Sequence, residues 1–319
     1  MPEASRKSTD AIHDGVDVVP KDGVTKSQDL WFDDGNIVLQ AESTVFKVHR
    51  TVLALNSTVF RDMFGVAHPE DGEQLADCPL VDVLDKSDDM WLFLKAMYTP
   101  GYCETVVDFP QVASMLRLAS KYDVKYFRTL SVAKLRTVCP TDFSVWNRNP
   151  AVSHPDKLLT LARECGIRIL LPAAMYQCCL LGQDYIIDHV PAREDVKLCL
   201  TGRQKIIDAW RKMVDPTSED GSIFRYSRSS CCQQQMRALM LEPIIWAIML
   251  DSKIHVHDAD ALEKISSAAW QRLCVDCASS LRRNVEGARK VIWNKLPGFF
   301  GLPAWDELKK EMESEGSPN

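Results

Sequence analysis

The chain has 319 residues, 46% of them hydrophobic and 26% charged, with a formal net charge of −6; this is enough apolar content for two buried cores but not for many. The acidic balance lacks the basic footprint that nucleic-acid binding requires, so direct binding to DNA or RNA is not expected. Eleven cysteines fall mostly in apolar periodic segments with no secretory leader ahead of them, which predicts free thiols in a reducing compartment, cytosol or nucleus.

In chain order, residues 1–27 are rich in Ser, Asp, Lys and Gly and read as a disordered, solvated tail carrying no strand. Ile37, Leu39 and Ala41 then alternate with Val38 and Gln40, and Thr44, Phe46 and Val48 repeat the two-residue period after Glu42-Ser43, which predicts two strands. From His49 the period becomes helical. Val52, Leu53 and Leu55 form one apolar cluster, and Val59, Phe60, Met63 and Phe64 form a second, with Ser57 placed to cap the second helix. A loop at residues 68–73 leads to a third strand within residues 79–85. Ser87 is expected to cap a helix over residues 88–98, with Met90, Trp91, Leu94, Met97 and Tyr98 as its inner face. Phe109-Pro110 opens another, continued by Val112, Met115, Leu116, Ala119 and Tyr122, and then by Val124, Phe127, Leu130, Ala133 and Leu135.

Beyond Pro140 the periodicity is helical almost throughout. Helices are predicted over residues 157–165, 172–181 and 192–214, the last open to a break at Gly202. A polar loop at 215–230 precedes an apolar stretch over 231–250, where Pro243 is expected to kink or split a helix. The run Ile244 to Leu250 is the longest apolar one, far short of the roughly 20 residues that a membrane helix needs. A last long helix is predicted over residues 258–294, followed by an aromatic segment to Trp305 that packs back onto the helices and a polar tail over 306–319.

The residues Ile37-Val38-Leu39, Phe46-Lys47-Val48-His49-Arg50, Val52-Leu53, Ser57 and Phe60-Arg61-Asp62-Met63-Phe64 resemble the opening of a BTB/POZ domain. The resemblance continues to about Val138 and implies an α+β domain, a small sheet capped by helices, over residues 28–138, followed by an all-α region over 139–305. Cys274-Val275-Asp276-Cys277, Arg289, Trp293, Leu296-Pro297, Phe300-Gly301-Leu302-Pro303 and Trp305 resemble the C-terminal half of fungal, mainly mushroom-type, BTB/POZ proteins. That half implies no activity.

The family resemblance implies a non-enzymatic protein–protein interaction module that self-associates, pairs with other BTB/POZ chains or recruits other proteins. Its alternative is a substrate adaptor for a cullin-type ubiquitin ligase. In dimeric members an acid of the first core strand pairs with the basic residue after the helix-opening His; here those positions fall on Asn36 and Arg50, so the charge pair is incomplete. The implied partner-binding or dimer pocket comprises Asn36, His49, Arg50, Phe60, Met63 and Phe64. Residues 1–27 do not offer the exchanged N-terminal strand of the strongest dimers. For the adaptor reading, the loop Leu84-Asp85-Lys86-Ser87 lacks the apolar-x-acidic signature of strong adaptors.

Chemical motifs have plain structural readings beside them. Cys274 and Cys277 have zinc-ligand spacing, and Cys231 and Cys232 offer two more thiolates. Equally, Cys274 and Cys277 share a helical face with Ala278, Leu281, Val285, Ala288 and Ile292 and serve as small core residues. No cofactor is expected apart from that possible structural zinc. His255, His257 and Asp258 read as a polar turn with Asp258 as a cap, and His49 as a structural residue satisfied by neighbouring backbone. Asn56-Ser57-Thr58 matches a glycosylation acceptor, set aside for a chain expected to lack a secretory leader. No phosphate loop, serine elbow or kinase signature is present.

Overall fold

The computed structural model describes residues 23–66, 73–146, 154–215, the single position 234, and 273–316. Among these, two compact units are distinguished: one comprises everything up to Thr105 together with Lys121–Val124, and the other comprises Val106–Ser120 and everything from Lys125 onward.

The first unit holds a mixed five-stranded sheet in the order β1-β3-β2-β5-β4. Its strands are β1 (Thr25–Trp31), β2 (Ile37–Ala41), β3 (Thr44–Val48), β4 (Gln74–Leu75) and β5 (Cys78–Asp82). β2 and β3 are the two predicted strands and pair as an antiparallel hairpin, with Leu39 opposite Phe46, while β1 joins β3 and β5 joins β2 in parallel. The expectation that residues 1–27 carry no strand is corrected at its C-terminal end, since β1 starts at Thr25. As an edge strand, β1 contributes backbone bonds and turns most of its polar side chains outward, so its composition hides it. Gly35 is required where the chain enters β2, because a Cβ there would lie 2.9 Å from the Lys47 side chain and 3.0 Å from the Phe32 carbonyl oxygen.

β2 is apolar on both faces because both are covered. Ile37, Leu39 and Ala41 are buried in line with their alternation, and Val38, on the opposite face, joins Val45 and Cys78 in a second small cluster flanked by Val24, Trp31, Leu75 and Leu80. Four helices complete the unit's elements or begin within it: α1 (Arg50–Asn56), α2 (Thr58–Val66), α3 (Ser87–Tyr98) and α4 (Tyr102–Thr105). Ser57 caps α2 as expected, its hydroxyl accepting the Phe60 N–H at 3.0 Å and donating to the Tyr122 carbonyl at 2.6 Å. Ser87 does not cap α3. It is the first helical residue, and its N–H donates to the Glu42 carboxylate at 2.9 Å, an acid at the positive end of the helix dipole. α3 also buries Leu92, Phe93 and Ala96 beside the expected Met90 and Leu94, whereas Trp91, Met97 and Tyr98 are only half-buried.

The second unit is helical: α5 (Phe109–Lys121, all but its last residue), α6 (Lys125–Val138), α7 (Phe143–Trp146), α8 (Pro155–Glu164), a 3₁₀ turn (Arg168–Leu170), α9 (Leu171–Leu180), α10 (Gln183–His189), α11 (Arg193–Val214), α12 (Val275–Phe299) and α13 (Trp305–Gly316). α9 is its centre, buried at every position and packed against α8, α11 and α12, which explains an apolar run with no amphipathic stripe. α11 runs unbroken through Gly202, whose hydrogen faces the Phe300 ring so closely that a Cβ would lie 2.3 Å from it. The glycine is there for packing, not as a break.

Two expectations at the C-terminus are corrected. Residues 306–316 are not a polar tail but most of α13, anchored by buried Trp305 and Leu308. The last long helix begins at Val275, with Cys274 as its N-cap residue, so helix does not continue back from Val275 through residues 273–274. The proposed segment 258–272, the apolar stretch 231–250, the loop 68–72, and the tail up to residue 22 lie outside the described residues, apart from Gln234. No described helix is long and apolar enough to cross a membrane.

Candidate partner-binding site

The turn from β3 into α1 is fixed by side chains from β1's exit and from α3. Tyr98 accepts the His49 backbone N–H at 2.8 Å, and its hydroxyl lies 3.1 Å from His49 Nδ1. On the other side of the ring, Nε2 is 3.2 Å from Asp34. Phe32 stacks on Tyr98 with centroids 4.7 Å apart and lies 5.2 Å from the His49 ring. His49 is therefore held by a tyrosine and an acid, not by neighbouring backbone. Burial, first, raises the Tyr98 pKa, with the Asp34 charge adding to it against the bond from His49, so this hydroxyl stays protonated.

Asn36 and Arg50 meet, but only Asn36 does so through its side chain. The Asn36 side-chain oxygen Oδ1 accepts the Arg50 backbone N–H at 2.8 Å, satisfying one of the donors that open α1. The Arg50 guanidinium instead donates to the Phe64 carbonyl at 3.2 Å and lies 5.0 Å from the centroid of the Phe64 ring, tying the start of α1 to the last turn of α2. An aspartate at position 36 would accept the same N–H; the neutral amide does so without adding charge to the pocket.

Phe60 is a core residue, not a surface one. It is 0% exposed and stacks on Tyr122 at 4.5 Å with the rings 5° from parallel. Met63 and Phe64 are half-buried. The residues α1 and α2 do present are Leu55 at 81% exposure, Val59 at 40% and Val66 at 83%. Val59, Met63 and Val66 are spaced i, i+4, i+7 along α2 and form one stripe. Sequence reading put Val59 and Phe60 in one apolar cluster. They sit about 100° apart on the helix, and only the stack on Tyr122 tells which of them faces inward.

Asp85 is committed internally. Lys121 donates to both of its oxygens at 2.8 Å, and the Tyr122 hydroxyl donates to Oδ2 at 2.5 Å. Burial, and then this acid, push the Tyr122 pKa far up. Its neighbour Leu84 is 86% exposed with a left-handed φ of 53°.

In the helical unit the C-terminal pattern is absorbed by packing. Trp293 donates to the Thr141 carbonyl at 3.2 Å, Trp305 donates to the Trp293 carbonyl at 2.9 Å, and the two indoles stack at 5.5 Å. Arg289 is buried, its guanidinium 5.4 Å from the Phe143 ring centroid. Cys277 is buried and Cys274 partly exposed; Cys231 and Cys232 lie outside the described residues. No described cysteine forms a disulfide, and no group of three or more His, Cys, Asp or Glu gathers as a metal site among the described residues. A cleft of about 660 Å³ opens beside α12, where Arg283, Lys290 and Lys309 face Asp142, Glu286 and Asp306. Lys309 already pairs with Asp142 at 2.9 Å, and the balanced signs favour neither an anion nor a cation.

Residues 30–137 match the family model described as the BTB/POZ domain. The strands β2, β3 and β5 and the helices α1 to α5 lie within that span, as does all of α6 but its last residue. No curated protein matches the chain.

Proposed function

We propose that this chain works without catalysis, as an assembly protein whose BTB/POZ domain, a protein–protein interaction module, binds a second copy of itself or another BTB/POZ chain through the outer face of α1 and α2. The observation that carries this reading is exposed Leu55 on α1 together with the α2 stripe of exposed Val59 and Val66 and half-buried Met63, on the part of the domain that matches the family. Burying such side chains contributes roughly 25 cal/mol for each Å² removed from water. Asn36, His49 and Arg50 hold the stripe in place from behind, through the bonds to Tyr98, Asp34 and Phe64, and Met63 belongs to it. The C-terminal pattern from Arg289 to Trp305 supports placing the chain among the fungal, mushroom-type BTB/POZ proteins.

The cullin-adaptor alternative has less support. In the loop before α3 the one acid, Asp85, is spent on Lys121 and Tyr122 and is not offered to a partner. The test is light scattering of the intact protein over a range of concentrations, beside a Leu55→Asp, Val59→Asp variant. The proposal expects a dimer mass that falls to the monomer in the variant. A monomer at every concentration in the unaltered protein, with a cullin recovered from cell extract instead, would replace it with the adaptor reading.

A further inference from the structure

The span that matches the BTB/POZ family and the compact units of the molecule do not coincide. The match runs through residue 137, yet Val106–Ser120 and Lys125 onward cluster with the helical unit. That places nearly all of α5 and the whole of α6, the last two helices of the domain, in the same body as α8 to α13. Specific bonds hold them there. Arg117 on α5 donates to Glu164 at the end of α8 at 2.8 Å, and Arg128 on α6 donates to the Cys165 carbonyl at 3.2 Å. At the end of α6, Gln177 on α9 donates to the Val138 carbonyl at 3.4 Å, and the buried Cys139 thiol lies 3.6 Å from the Leu170 carbonyl oxygen. α5 itself buries Val112, Ala113, Met115, Leu116, Leu118 and Ala119, and only its last residue, Lys121, belongs to the first unit, where it donates to Asp85 and the Val83 carbonyl.

We infer that α5 and α6 open and close with the helical unit and not with the sheet, so that the helical unit controls the order of the last two helices of the BTB/POZ domain. Cooperative opening follows contact density, and contiguous packed elements exchange as one body. The device is conformational: anything that binds or loosens the helical unit changes the stability of α5 and α6 while leaving β2 and β3 as they were, and linkage makes the effect reciprocal.

Hydrogen exchange read by mass spectrometry on the intact chain tests this, comparing the unaltered protein with Met175→Ala, a substitution at the fully buried centre of α9. Exchange in peptides from α5, α6, α8 and α9 should accelerate together, by roughly thirtyfold or more, with β2 and β3 unchanged. Acceleration confined to α8 and α9 would overturn the inference. Should Met175→Ala unfold the whole chain, exchange of the unaltered protein in rising sub-denaturing urea decides the matter. There α5 and α6 should merge with α9; merging with β2 and β3, or one merged transition for all of them, would overturn it.

Discussion

Two stretches of the chain stand out by sequence pattern, one in each unit, of which only the first lies within the span that matches the BTB/POZ family model, and they differ in what they leave outside. In the first, over residues 36–66, Leu53 and Phe60 go inward, His49 and Arg50 are half-buried, and Leu55, Val59 and Val66 beside them remain exposed. In the second, over 274–305, Arg289, Trp293, Leu296, Pro297, Phe300 and Trp305 are buried, while Val275 is 81% and Val291 39% exposed. A sequence pattern records mainly what a fold must pack; a contact surface lies in the residues displayed beside it. The first stretch groups three exposed apolar residues within one helical hairpin, whereas the second spends its aromatic residues on its own core.

The comparison breaks most readily at the buried members. Phe60→Ala should destabilise the protein by about 3–5 kcal/mol in denaturant unfolding, because the stack on Tyr122 leaves a cavity; a loss below about 1 kcal/mol would return Phe60 to the surface. Gly202→Ala should cost about 1–3 kcal/mol through the clash with the Phe300 ring. A Phe300→Leu background should relieve part of that cost, and strict additivity of the two changes would sever the contact. Ser57→Ala removes a cap and leaves the Tyr122 carbonyl without its donor, for a loss of about 1–3 kcal/mol, whereas Ser57→Thr should retain more stability.

The smallest effect is electrostatic. The bond from the Ser87 backbone N–H, first among several causes, holds the Glu42 pKa below its ordinary value of 4.5, and the bond to Lys95 does the same for Asp29 below 3.8. A carboxylate depressed in the folded state stabilises it above the unfolded pKa, and that contribution is lost as pH falls through the folded one. Glu42→Gln should therefore lower the melting temperature slightly at neutral pH, with the gap to the unaltered protein closing below about pH 4.5. A gap that persists undiminished well below the folded pKa would assign the loss to something other than this cap.

Much of the fold was legible because its signals are local. The two-residue period of β2 and β3, the Ser57 cap, and the helices α5, α6, α8, α9 and α11 follow from spacing alone, whereas the short α7 and α10 gave no such signal. What was hidden depends on distant partners or on backbone. β1 shows only Ser27 and Leu30 buried, so its polar sequence reads as tail, and β4 has two residues, too few for a period. The α3 cap comes from Glu42, 45 positions away, and the stretch after Trp305 is mostly charged, so that two buried anchors define a helix the composition conceals. At the candidate site, sequence placed Asn36, His49, Arg50, Met63 and Phe64 around one hairpin, but the inward direction of α2 rests on Tyr122, 62 residues beyond Phe60. Arg50 was read as a pairing charge; its bond to the Phe64 carbonyl makes Arg50→Glu a change of the hairpin itself as well as of its surface.

The most direct measurement is the solution mass of the intact protein by sedimentation equilibrium, with one exposed apolar residue replaced in each unit: Leu55→Asp on α1 and Ile187→Asp on α10, which is 60% exposed. The account predicts a dimer for the unaltered chain and for Ile187→Asp, and a monomer for Leu55→Asp. A dimer retained by Leu55→Asp and lost with Ile187→Asp would move the contact surface to the helical unit and contradict it.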